Sequence, residues 1–114
     1  MTVLLIFSPD GRVLMQRRTE GLLRNMWVFY LIQGEMLDAP AVRDYMQSLR
    51  YPPEKVEKIT LLGQFTHTFT HRVWDMVGYA VRVNTDIPLP GHQFRTPDEI
   101  NAGGLPAAMR YLMM

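Results

Sequence analysis

VEKITLLGQFTHTFTHRVWDMVGYAVRV, residues 56–83, decides the fold class. Val56 to His67 and Arg72 to Val83 are rich in β-branched and aromatic residues and read as two long strands. His67-Thr68-Phe69-Thr70-His71 lies at their junction and reads as a hairpin tip. Moving outward, Ala41 to Arg50 places Val42, Tyr45, Met46 and Leu49 at i, i+3, i+4 and i+7, one apolar helical stripe. Asp38 is the expected N-cap, Pro40 falls near the first turn, and Pro52-Pro53 ends the helix. Met26 to Ile32 is apolar on both faces and predicts a central strand covered on two sides. Val3 to Phe7 reads as a buried strand, Pro9-Asp10-Gly11 as a turn, Arg12 to Arg18 as the return strand, and Glu20 to Asn25 as a loop. Downstream, Asn84 to Gly91 is a loop. Thr96-Pro97-Asp98-Glu99 has the capping-box pattern, Gly103-Gly104 stops that short helix, and Pro106 to Met113 is a last helix with Met109 and Leu112 inward. Strands, one main helix, long strands and short C-terminal helices make an α+β class, a mixed sheet with helices packed on it.

The 114 residues amount to one domain, 1–114, with no repeat and no linker. Hydrophobic residues at 47% and charged residues at 20% place the chain among globular proteins. No apolar run has membrane-spanning length, and no secretory signal stands at the start. With no cysteine, the chain has no disulfide and no cysteine-ligated metal. A net charge of +1 decides nothing about nucleic acid, since dedicated DNA binders are usually far more basic. Local charge is uneven, however. Arg12, Arg17, Arg18 and Arg24 stand against Glu20 alone between Gly11 and Arg24, either a solvated strand edge or a positive patch.

Three stretches carry a resemblance. Arg17-Arg18, Gly21-Leu22-Leu23 and Met26-Trp27-Val28-Phe29 resemble the Arg-rich strand, Gly-Leu-Leu loop and Leu-Trp-x-Phe-Pro strand of the C-terminal domain of MutY-type adenine DNA glycosylases. His67-Thr68-Phe69-Thr70-His71 resembles that family's His-x-Phe-Ser-His loop, with Thr for Ser. Phe94 to Ile100 and Leu105-Pro106 resemble its closing Trp-x-x-x-x-Glu-Leu and Leu-Pro elements. Tyr30 stands where the family usually has Pro, and Phe94 where it usually has Trp.

The resemblance implies a Nudix-like fold and a role in base excision repair. In such enzymes an N-terminal glycosylase domain with an iron–sulfur cluster removes adenine mispaired with 8-oxoguanine, and the C-terminal domain contacts the 8-oxoguanine. A chain without cysteine cannot hold that cluster, so none is expected here. The chain is read as an excised domain whose partners are double-stranded DNA containing 8-oxoguanine opposite adenine and the glycosylase domain in cis. No membrane partner and no cofactor are expected, and the setting is the bacterial cytoplasm, at the nucleoid.

A working Nudix hydrolase carries Gly-x5-Glu-x7-Arg-Glu-U-x-Glu-Glu-x-Gly, with U aliphatic, whose carboxylates hold Mg²⁺ against a diphosphate. Anchored at Gly34, the box meets Pro40, Ser48, Leu49 and Pro52-Pro53. Anchored at Gly21, it meets Trp27, Glu35, Met36, Ala39 and Pro40. The helix offers a single carboxylate, Asp44. The expectation is a domain that is not itself an enzyme, with no catalytic and no metal-binding residue.

Oxidised guanine has a donor at N7 and a carbonyl at C8, so a reader needs an acceptor near the first or a donor near the second. Hydroxyl and imidazole groups at a tight turn supply either. By resemblance the readers are Phe69, Thr70 and His71. Phe69 wedges or stacks beside the base; the alternative is a core phenylalanine of the strand. Thr70 offers its hydroxyl or its backbone, and His71 bonds a phosphate or a base edge. His67 reads as structural. Arg24 and Arg72 are the candidate phosphate contacts. Two other readings stay open: a module that tethers the glycosylase to protein partners, and, disfavoured by the missing box, a Nudix hydrolase acting on oxidised nucleotides.

Overall fold

The computed structural model describes residues 1–49, 51 and 53–113. Its strands are β1 (Thr2–Phe7), β2 (Val13–Arg17), β3 (Trp27–Val28), β4 (Tyr30–Ile32), β5 (Val56–Thr68), β6 (Val73–Val83) and β7 (Gln93–Arg95). The helices are α1 (Ala39–Ser48), α2 (Pro97–Ala102) and α3 (Ala107–Arg110), with short 3-10 turns at Pro53–Lys55 and Tyr111–Met113. The sheet runs β3-β2-β1-β6-β5, with β4 also paired to β1 and β7 to β2. β1 lies parallel to β6 and the other pairs are antiparallel. The architecture is therefore a mixed α+β sheet.

Both faces of the sheet are covered. β1 sends Leu4 and Ile6 to the core under α1, where Val42, Met46, Tyr79, Val81 and Val83 meet them. It sends Val3 and Leu5 to the opposite core, closed by Ile100, Ala108, Met109 and Leu112. Alternate residues of one apolar strand thus serve two cores, which is why β1 shows no polar alternation. Each fully buried aliphatic side chain stabilises the fold by roughly 1.5–3 kcal/mol.

α1 begins at Ala39, two residues before the expected start. Asp38 accepts from the Ala41 N–H at 2.9 Å, and the proline is accommodated in the first turn. Val42 and Met46 are buried, while Tyr45 and Leu49 lie at the stripe's margin. The expected final helical residue Arg50 and the break at Pro52 lie outside the described residues. The Thr96–Glu99 capping box forms in both directions at 3.1 and 3.0 Å.

Three expectations need correction. Met26 to Ile32 is not one central strand. β3 pairs with β2 (Gln16 opposite Val28) while β4 pairs with β1 (Leu4 opposite Tyr30), so the segment changes partner at the buried Phe29. Two-sided apolarity there reflects this crossing, and the central strand is β1. Gln93–Arg95 forms β7, set by Leu14 opposite Phe94, where no strand was expected. The last helix spans only Ala107–Arg110 before tightening into the 3-10 turn that brings Leu112 inward.

Among the described residues no helix is long and apolar enough to cross a membrane.

Candidate nucleic-acid interface

β5 and β6 pair from Val56 opposite Val83 to Thr68 opposite Val73, leaving Phe69-Thr70-His71-Arg72 as the tip. The Phe69 N–H donates to the Arg72 carbonyl at 2.6 Å and closes the turn. At the ladder's end the Thr66 hydroxyl donates to the Asp75 carboxylate at 2.9 Å.

One face of this ribbon is aromatic. The Phe69 ring meets Trp74 edge-on at 5.0 Å and His67 at 4.9 Å. His67 Nδ1 lies 3.3 Å from the Tyr111 hydroxyl, and Tyr111 stacks on Phe65 at 5.9 Å. Edge-to-face pairs at such distances contribute about 0.5–1.5 kcal/mol each beyond their burial. Phe69 is half-buried and packs at the margin of the second core, in line with the core reading offered for it. Thr70, His71 and Arg72 are exposed.

The loop before β3 approaches from a distant part of the sequence. The Arg18 N–H donates to the Met26 carbonyl at 3.0 Å, and the Asn25 N–H donates to the Arg18 carbonyl at 2.8 Å. This tight closure forces left-handed backbone at Leu23 (φ 64°) and Asn25 (φ 67°). Asparagine tolerates that region, whereas leucine does not. Leu23 is held there by the packing of its side chain on the second core.

Between this loop and the start of β6 lies an open groove of about 280 Å³, lined by Arg18, Glu20, Gly21, Gln33, Arg72 and Trp74 among others. The Arg18 guanidinium lies over the Trp74 ring at 5.7 Å, a cation–π arrangement. Of the expected site residues, Arg72 lines the groove and Phe69 abuts it through Trp74. Thr70 and His71 stand on the adjoining tip. Arg24 is exposed on the loop but is not part of the groove lining. Arg18, Gln33 and Trp74 were missed as site residues. The Arg17-Arg18 pair in the basic stretch was the available signal, while Gln33 and Trp74 carried none.

Elsewhere, α1 presents Asp44 on its exposed side. Among the described residues no three His, Asp or Glu side chains are grouped as a metal site would need.

The NUDIX domain family profile matches residues 2–114. Among solved structures, the C-terminal domain of mouse MUTYH, in complex with human PCNA, superposes with a TM-score of 0.63 at 20% identity, over 98% of this chain and 82% of that one. The NUDIX domain of Shewanella oneidensis NrtR, complexed with ADP ribose, gives 0.59 at 16% identity, over 98% and 80%. The MutT protein from Methanosarcina mazei Go1 gives 0.54 at 15% identity, over 98% and 88%. At these identities the likeness is one of fold.

Proposed function

The chain belongs to the NUDIX domain family, and from that premise we propose that it is the damage-recognition module of a MutY-type adenine glycosylase, contacting 8-oxoguanine opposite adenine. The observation that carries the reading is the meeting of two sequence-distant elements. The Gly21–Asn25 loop supplies Gly21 and Leu22, and the Phe69–Arg72 tip supplies Arg72, to one polar groove whose second arginine is Arg18, and both segments overlap stretches that resemble the glycosylase domain. The fold likeness to the mouse MUTYH domain is in keeping with it.

In this reading Phe69, fixed edge-on against Trp74, offers an apolar wedge beside the base. Thr70 and His71 stand free to donate or accept at the N7 and C8 edge. The module does not hydrolyse nucleotides, because α1 carries Asp44 alone where a Mg²⁺–diphosphate site needs several carboxylates. A second reading, a docking module for protein partners, draws support from the PCNA complex of the mouse domain.

The test is an NMR titration of the labelled chain at low salt with two duplexes, 8-oxoguanine:adenine and guanine:adenine. The lesion reading expects larger shifts at Phe69, Thr70 and His71 with the oxidised duplex, and loss of that preference in Thr70→Ala and His71→Ala variants that stay folded. Equal shifts with both duplexes, in this chain and in a full glycosylase, would refute it. Shifts confined to other surfaces on adding a sliding clamp would favour the docking reading.

A further inference from the structure

We infer that the groove between the Gly21 turn and the start of β6 seats a phosphodiester of the DNA backbone, gripped by Arg18 and Arg72. This deepens the lesion-recognition reading and rests on it for the identity of the neighbouring base.

Four observations converge. First, Arg18 and Arg72 are distant in sequence and line one groove, yet neither forms an ion pair among the described residues. Glu20 lines the same groove without engaging either guanidinium. Two like charges facing one cavity repel unless an anion lies between them, and the cross-strand analogue of such a pair is destabilising.

Second, Arg18 is pre-organised. Its guanidinium is stacked on Trp74, and its Nε is buried with no hydrogen-bond partner. The contact with Trp74 holds the guanidinium against the ring, and the buried Nε leaves the terminal nitrogens as the groups able to donate. A planar guanidinium so held matches the paired oxygens of a phosphate, and little rotamer entropy remains to be lost.

Third, Gly21 keeps that surface bare. It has φ 70°, and a Cβ there would stand 3.6 Å from Arg18 Nη2. Any larger side chain would extend over the guanidinium as well as strain the turn.

Fourth, the stack is continuous. Phe69 packs edge-on against Trp74, and Arg18 lies on the Trp74 ring. The tip that reads the base and the seat that takes the phosphate share one indole, which fixes the offset between them. Phosphate contacts set register and base contacts read sequence, and here a rigid aromatic ring couples the two.

The experiment measures binding of a plain guanine:cytosine-containing duplex and of the 8-oxoguanine:adenine duplex across a salt series. It uses the unaltered chain, Arg72→Met and Arg18→Met, with fold checked by near-ultraviolet circular dichroism. Arg72 is exposed, so Arg72→Met keeps the test informative if Arg18→Met disturbs Trp74. Each lost phosphate contact should reduce the slope of log K against log salt by about 0.9. The slope falls on both duplexes alike, and the ratio between them is unchanged. A slope unchanged in Arg72→Met overturns the inference, as does failure of the unaltered chain to bind either duplex at low salt. If inorganic phosphate or a deoxynucleoside monophosphate shifts Arg18 and Arg72 resonances while duplexes do not, the groove is a small-anion pocket and the inference also falls. A reduced slope with no preference for the lesion would uphold the phosphate seat while removing the lesion reading.

Discussion

Gly78→Ala should lower the stability of the chain by about 1–2 kcal/mol, and the structure says through which contact. Gly78 lies in β6 facing the second core, and a methyl group on it would overlap Leu112 Cδ2. Leu112 is 5% exposed and sits in the terminal 3-10 turn. Displacing it completely would forfeit roughly 1.5–3 kcal/mol of burial. Partial rotation costs less, because the overlapping atom is the far end of a flexible side chain. Crowding of this kind typically costs about 1–3 kcal/mol. Replacing glycine where φ is not positive returns roughly 0.4–1 kcal/mol by restricting the unfolded chain. Urea unfolding followed by tryptophan fluorescence reads the difference. The decisive comparison is the double mutant. In a Leu112→Ala background, Gly78→Ala should be neutral or mildly stabilising, giving a coupling of about 1–3 kcal/mol. Full stability of Gly78→Ala alone, or the same loss in both backgrounds, would refute the argument.

Other outcomes follow from the same structure. Thr96→Ala removes the hydroxyl half of the capping box, leaves the backbone N–H of residue 96 donating to Glu99, and should cost about 1 kcal/mol, seen as early hydrogen exchange in α2. Burial pushes the Tyr51 phenol up to about 12. A raised pKa contributes stability that is complete below the unfolded value, near 10, and is lost as pH rises toward 12, so unfolding free energy should decline over that window while phenolate absorbance lags behind free tyrosine. The Glu99 carboxyl is held below its usual range by the Thr96 backbone and hydroxyl. Its carbon-detected titration should fall below that of a free glutamate, and the cap should loosen only as pH drops through that lower value. Incubation with 8-oxo-dGTP and Mg²⁺ should yield no monophosphate; measurable turnover would overturn the non-catalytic reading of α1.

Local signals were legible in sequence and long-range pairings were not. Asp38, Thr96 and Glu99 cap helices through neighbours three residues away, so their roles follow from order alone. The ribbon of β5 and β6 was equally readable, because its strands are joined by a four-residue tip. The break at Phe29 was not, since a residue apolar on both sides looks the same whether it lies within one strand or between two partners. β7 escaped notice because three residues carry no periodicity, and its pairing with β2 is set by residues some eighty positions away. In the candidate site, the tip residues were singled out through resemblance. Arg18 was visible as local charge and as part of the Arg-rich strand of the resemblance, and its place in the groove emerges from Trp74, which folding brings beneath it.

The parallel pairing of β1 with β6 has a consequence for biosynthesis. Residues 2–7 make their neighbours at 77–82, so β1 waits for more than sixty further residues of synthesis before the middle of the sheet exists. Loop closure over that span comes before any of its reward, which slows folding and leaves Val3, Leu5 and Met15 uncovered in the nascent chain. The same wiring makes the molecule divisible. A nick between α1 and β5 yields one fragment holding β1 through α1 and another holding the long ribbon and the terminal helices. Neither fragment contains a finished core. Each carries the missing central strand of the other, so the two should remain apart as unstructured peptides and fold only on meeting.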